Sequence, residues 1–221
     1  SIDVQKLAQK DTFQSTNFKN SSSMVGATNT GSFDVEIDGQ KFSIGVTRST
    51  TYQDIVDKIN DISGGKLQAR ILNVGGDKPN QIMLQSGKTG ATQTIKISND
   101  TSGILDKLGW DDTQFQDTDE SGALLTNPDG SPKMTSNLEK NRIQKAQDAE
   151  FTYNGVNVKR DKNTFDNLRP GVTITLNEVG KTNVSISQNT DEVIKAVEEF
   201  IKDYNLMTMN LEIATKYDEE K

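Results

Sequence analysis

With 221 residues, Lys+Arg 25 against Asp+Glu 32 and a net charge of -7, the chain has room for one or two domains with real cores. Its acidic balance argues against nucleic acid or an anionic membrane as the main partner, since both need a basic surface. Cys 0 and His 0 exclude a Cys/His zinc site, a Ser-His-Asp triad and a Cys-His dyad, so no metal or cofactor is expected. A hydrophobic fraction of 32% suits small β-rich domains with much exposed surface, and no apolar run approaches the ~20 residues of a membrane span.

Ile2 and Val4 alternate as in a strand, and the Ser/Asn-rich stretch 14–23 then reads as a linker. Phe33, Val35 and Ile37 alternate up to Asp38-Gly39, and Phe42, Ile44 and Val46 alternate after it. Asp-Gly between alternating runs signals a hairpin with a type I′ turn, because both central residues need positive φ. A short helix follows, capped by Thr50 or Thr51, with Asp54 in its first turn. Its apolar face is Ile55, Val56, Ile59 and Ile62, and Gly64-Gly65 stops it. Strands near 67–74, 81–85 and 94–97 complete a small α+β module.

Patterning fades over 100–136, which reads as a long, partly ordered surface excursion. Trp110 and Phe115 sit there among acids. They are candidate surface-binding aromatics, with a packed domain-edge anchor as the other reading of Trp110. Residues 138–149 return the chain, with a brief helix expected around 142–146. Gly87-Lys88-Thr89 matches the end of a phosphate-binding loop, but Ile82 stands where that motif needs glycine, so a polar turn is expected. Residues 117–122 resemble a calcium loop only faintly, because Ser121 and Pro128 fill ligand positions. The pair Asp111-Asp112 could serve glycoside hydrolysis, yet nothing fixes the separation of the carboxylates.

Phe151 and Tyr153, the turn Asn154-Gly155, then Val156 and Val158 form a further hairpin pattern. Phe165 and Leu168 precede Arg169-Pro170-Gly171, after which Val172, Ile174 and Leu176 alternate, and Val184 and Ile186 alternate again beyond Gly180. This group needs another strand, and the segment carrying Ile2 and Val4 is the natural candidate. The expected fold is α+β, mostly β: two small β-rich domains, one inserted into the other, followed by a C-terminal amphipathic helix. The discontinuous domain takes 1–30 and 145–189, the inserted domain 31–144, and the helix begins the part at 190–221. In that helix Val193, Val197, Phe200, Tyr204, Met207 and Leu211 keep a heptad spacing, with Asn189 or Thr190 as cap. They form a candidate packing or oligomer seam, serving equally well inside one subunit or as a coiled coil between subunits.

The run 163–176 (Asn-Thr-Phe-Asp-Asn-Leu-Arg-Pro-Gly-Val-Thr-Ile-Thr-Leu) with the helix after it resembles the bacterial flagellar filament cap family, also called hook-associated protein 2. Val4-Gln5-Lys6-Leu7-Ala8-Gln9 is similar to that family's first strand, and 32–97 to the module shared by flagellins and hook-associated proteins. Thr215-Lys216-Tyr217-Asp218 looks like the continuation into a leg. The resemblance implies an oligomeric cap at the distal, extracellular tip of the filament, a plate with legs under which exported flagellin folds and inserts. It further implies copies of itself, flagellin, hook–filament junction proteins and an export chaperone as partners, and secretion by the flagellar type III route. Small domains joined by mobile segments would let neighbours shift at each step. An adhesin for host mucin or glycans is the alternative.

Overall fold

A computed structural model describes residues 1–184 and 191–215, and the chain divides into two units, 1–182 and 183–221. The first unit contains in order β1 (Ile2–Lys6), β2 (Thr12–Gln14), β3 (Gly31–Ile37), β4 (Gln40–Val46), α1 (Tyr52–Ser63), β5 (Leu67–Asn73) and β6 (Asn80–Ser86). Next come β7 (Lys96–Ser98), α2 (Ile104–Leu108), β8 (Phe115–Gln116), β9 (Met134–Thr135), α3 (Asn137–Lys140) and β10 (Arg142–Gln144). It closes with β11 (Ala149–Tyr153), β12 (Val156–Arg160), β13 (Thr164–Arg169), β14 (Val172–Thr175) and β15 (Gly180–Thr182). The second unit holds α4 (Asp191–Thr215). The fold is α+β and mostly β, as expected.

Two separate hydrophobic cores lie within the first unit. In the first, β3 and β4 turn through Asp38 and Gly39 at φ 50 and 69, with Ile37 and Gln40 as the closing pair. That is the two-residue turn whose twist matches the strands. Phe33, Val35, Ile37, Ile44 and Val46 all point inward. Beside this sheet, ordered β4-β3-β7, stands a second, ordered β10-β2-β6-β5. α1 packs against both β4 and β5. Its start is a full capping box between Thr51 and Asp54, and Gly64 ends it at φ 56. Ile55, Val56 and Ile59 are buried, whereas Ile62, expected on the same face, is 47% exposed. Ile62 is on the last turn, where it borders an open groove beside β4.

Three expectations need correction in this core. The stretch 14–23 is no linker. Phe18 is buried and stacks on Tyr52 with ring centroids 3.7 Å apart, and the Ser15, Thr16 and Phe18 N–H groups bond Ile82, Leu108 and Asn80 carbonyls. One anchored aromatic and a paired backbone order a segment whose composition is otherwise that of a loop. The helix expected around 142–146 lies upstream as α3, capped by the Ser136 hydroxyl. Residues 142–144 instead pair with β2, where the Arg142 guanidinium sits 4.7 Å from the Phe13 ring. Finally, 100–110 is folded rather than excursive. Asp100 accepts bonds from Ser102, Gly103 and Leu105, and Ile104, Leu105, Leu108 and Trp110 are buried. Only 115–135 remains a surface feature, a small meander held by bonds such as Leu125 N–H to the Asp117 carbonyl and Lys133 N–H to the Leu125 carbonyl.

The second core comprises Ile2, Val4, Ala8, Ala149, Phe151, Phe165 and Leu176. Its sheet runs β12-β11-β1-β15, so the first strand is central: Ile2 faces Tyr153 on one side and Thr182 on the other. Asn154 and Gly155, φ 50 and 84, turn the hairpin β11–β12. The hairpin β13–β14 turns at Gly171, φ 75, and packs on this sheet through Phe165, stacked 5.2 Å from Phe151. The segment 1–30 is therefore divided. Ile2, Val4 and Ala8 belong to this core, while Phe13, Phe18, Val25 and Ala27 belong to the first. Ile186 and the Asn189 and Thr190 caps lie outside the described residues.

Candidate assembly interface

Taken by itself, α4 has 25 residues and, at 1.5 Å rise per residue, is roughly 37 Å long. Val193, Val197, Phe200, Tyr204, Met207 and Leu211 are each between 51% and 69% exposed. The spacing brings them onto one stripe, along which Phe200 and Tyr204 stack at 6.4 Å. Covering such a side chain contributes roughly 1.5–3 kcal/mol. Leu206, Met209 and Ile213 are also more than half exposed. At about 100° per residue they fall on the opposite face. Sequence reading of the heptad missed this second stripe, although its own three-and-four spacing carries the signal. The distal half of α4 is thus apolar on two sides.

The aromatic candidates part company. Trp110 is completely buried in the first core, and its indole N–H donates to the Gln14 carbonyl at 2.7 Å. Its role as a surface-binding aromatic is corrected: ring area of this size is far more stable packed, provided the N–H finds an acceptor. Phe115, on β8, is half-buried, with the Lys140 ammonium 5.1 Å from its ring centroid.

The acids of the meander are occupied in structural bonds. Asp117 takes salt bridges from Lys133 and Lys140, each at 3.1 Å, and these hold its carboxyl below the usual range. Asp119 and Asp129 close turns by accepting from Ser121 and Ser131 respectively, and those bonds lower both carboxyls. Asp111 accepts from the Asn137 amide at 2.9 Å. No three acids converge as metal ligands among the described residues. The Gly87-Lys88-Thr89 segment is a polar bend after β6, where the Ser86 hydroxyl donates to the Lys88 carbonyl and the Gly87 N–H bonds the Lys66 carbonyl ahead of β5.

Where the two cores meet, the contacts are short and polar. Gln9 and Gln147 exchange backbone bonds, the Gln147 amide reaches the Leu7 carbonyl, and the Ala91 N–H donates to Asp148 at 2.6 Å. Thr89 donates to the Asp161 carbonyl at 2.7 Å. Gly90 sits so close that an added Cβ would lie 3.0 Å from the Asp161 side chain. The cores are pinned to each other rather than strung on a mobile connection.

Comparison with known proteins returns one family throughout. The model of the flagellar hook-associated protein 2 C-terminus matches residues 146–221. The flagellar hook-associated protein 2 of Campylobacter jejuni is 34% identical over 99% of this chain, and that of Salmonella typhimurium 26% over 96%. The chain spans 36% and 41% of those two relatives. Among solved structures, the flagellar cap protein FliD D1-D2-D3 domains from Escherichia coli match 98% of this chain and 56% of that one, with TM-score 0.66 and 23% identity. FliD of Pseudomonas aeruginosa matches 100% of this chain and 93% of that one, with TM-score 0.64 and 20% identity. These two likenesses carry the fold, and the sequence agreement along nearly the whole chain carries the rest: the chain belongs to the flagellar hook-associated protein 2 family.

Proposed function

We propose that this chain is part of a protein that caps the growing flagellar filament at its extracellular tip. In this reading the second core builds the plate of an oligomeric cap, the first core is the outer domain, and α4 begins a leg. The partners are further copies of the protein, flagellin, which folds and inserts beneath the cap, and the hook–filament junction proteins. An export chaperone accompanies the protein before it leaves by the flagellar type III route. The action is one of shape, with no reaction at any atom, and the two acids that suggested hydrolysis each accept a side-chain amide bond, Asp111 from Asn137 and Asp112 from Gln114.

What carries the reading is the agreement with a hook-associated protein 2 along almost the full chain, joined to a helix whose apolar seam is exposed. The glycan-binding alternative is withdrawn with Trp110, which sits in a core. Deleting residues 190–211 from the full-length protein tests the leg. Loss of the discrete oligomer and of filament growth is expected, and normal assembly with normal motility would count decisively against it.

A further inference from the structure

The chain passes between the two cores twice, after Ala8 and again before Ala149, and the two crossings lie side by side. Gln9 and Gln147 bond each other's backbone at 2.9 and 3.3 Å, which carries the antiparallel pairing of β1 and β11 toward the first core. A ribbon of two strands twists readily about its own length. Between domains with separate apolar clusters, such a link leaves relative rotation as the default. What opposes the rotation comes from another part of the chain. We propose that residues 89–91, between β6 and β7, are a strap that fixes the rotation of one core against the other about this ribbon, and that Gly90 and Asp148 are the positioning residues that seat it.

The register shows what the strap spans. Ala149 faces Arg160 across β11 and β12, so Asp148 and Asp161 follow at the same end of that hairpin. In the sheet order β12-β11-β1, Asp161 therefore lies on one side of the Gln147 strand and Gln9 on the other. The strap touches all three strand ends. The Gly90 N–H donates to the Gln9 carbonyl at 3.1 Å, the Ala91 N–H to Asp148 Oδ1 at 2.6 Å, and the Thr89 hydroxyl to the Asp161 carbonyl at 2.7 Å. Neighbouring strands are about 4.8 Å apart, so the bond to Asp161 acts a strand's width outside the ribbon, where it has leverage against twisting. Asp148 Oδ2 faces the Lys159 ammonium at 3.6 Å, which leaves Oδ1 for the strap. Gly90 is what lets the strap come so near. Its φ of 113° is one that L side chains rarely adopt, and a Cβ would stand 3.0 Å from the Asp161 side chain and 3.2 Å from Asp148 Oδ1. In a cap the outer core would then keep one rotational setting over the plate, a consequence that rests on the cap reading, whereas the strap itself does not.

Spin labels on Asp61→Cys in α1 and Asn157→Cys in β12, both exposed positions, report the setting of the cores in the full-length protein. Excess unlabelled protein restricts the readout to pairs within one chain. Wild type gives one narrow distance. Thr89→Val combined with Asp148→Ala removes two of the three strap bonds, and Gly90→Val pushes the strap away with its own side chain. Each broadens or shifts the distance while Trp110 keeps its buried emission, and such a change in either upholds the strap. Both variants as narrow as wild type, or a wild-type distance as broad as theirs, overturn it and leave the cap reading standing, since that reading is tested by oligomer formation instead. Should Gly90→Val lose the Trp110 signal, the double variant decides alone. Loss of that signal in both makes residues 89–91 part of the first core's own fold, and that also overturns the proposal.

Discussion

Asp11 stands at the place where the chain first crosses into the inserted core, and none of its surface is exposed. Its Oδ2 accepts the Ile95 N–H at 2.6 Å, and the Arg142 guanidinium approaches Oδ1 at 3.4 Å. Burial pushes the carboxyl up, and the Ile95 N–H and Arg142 pull it only part of the way back. A folded-state value above the unfolded one means that protonation favours the fold. The stability this group contributes is complete below about pH 4, the unfolded carboxyl's range, and is lost as pH rises through the folded value. The advantage of wild type over Asp11→Asn should therefore shrink between about pH 4 and neutrality. The chain has Trp 1, and Trp110 lies in the same core, so urea unfolding followed by its emission reads the difference. An advantage that grows with pH instead would show that the pairing with Arg142 dominates burial.

Among the elements, α1 illustrates which features a sequence discloses. Its capping box forms because Thr51 and Asp54 are three residues apart, a wholly local arrangement. The Thr51 N–H bond, first, and the Thr51 hydroxyl bond both hold the Asp54 carboxyl low. Thr51→Ala should cost about 1 kcal/mol, read as a lower urea midpoint with an unchanged slope, and an unmoved midpoint would mean that tertiary packing fixes the helix start unaided. The turns at Asp38-Gly39 and Asn154-Gly155 were equally legible, since positive φ at two successive residues is a short-range demand. The pairing of β10 with β2 was not, because Arg142 meets Phe13 across most of the chain. Nor was the anchoring of 14–23 by Phe18, or the sealing of β5 by Asn60 and Ser63, because side chains that stand in for a missing strand leave no periodic trace. In α4 the spacing of the first stripe is local and therefore legible, and Leu206, Met209 and Ile213 carry a second three-and-four spacing on the opposite face.

At the scale of the first unit, residues 1–182, two cores share one set of crossings but no apolar cluster. Removing residues 1–8 takes β1 from between β11 and β15 and leaves Phe13 and the rest of the first core untouched. Such a truncation should melt the second core while Trp110 keeps its buried, blue-shifted emission. Simultaneous loss of both signals would mean that the cores fold as one cooperative block. The pairing of the first strand with the sheet near the other end was foreseeable from an unpaired strand pattern in the one and a missing strand in the other. The boundary near residue 9 was not, since the packing of Phe13 and Phe18 is decided by distant partners.

The central seat of β1 has a kinetic corollary. A polypeptide that emerges N-terminus first presents this strand ahead of both its neighbours, which are more than a hundred residues behind it. Closing so long a loop is slow and entropically opposed. The inserted core can collapse meanwhile, from segments already present, and bring residues 9 and 147 side by side. Completion of that first globule shortens the remaining search between β1 and β11 to a few residues on either side of the crossing, so the first core precedes the second.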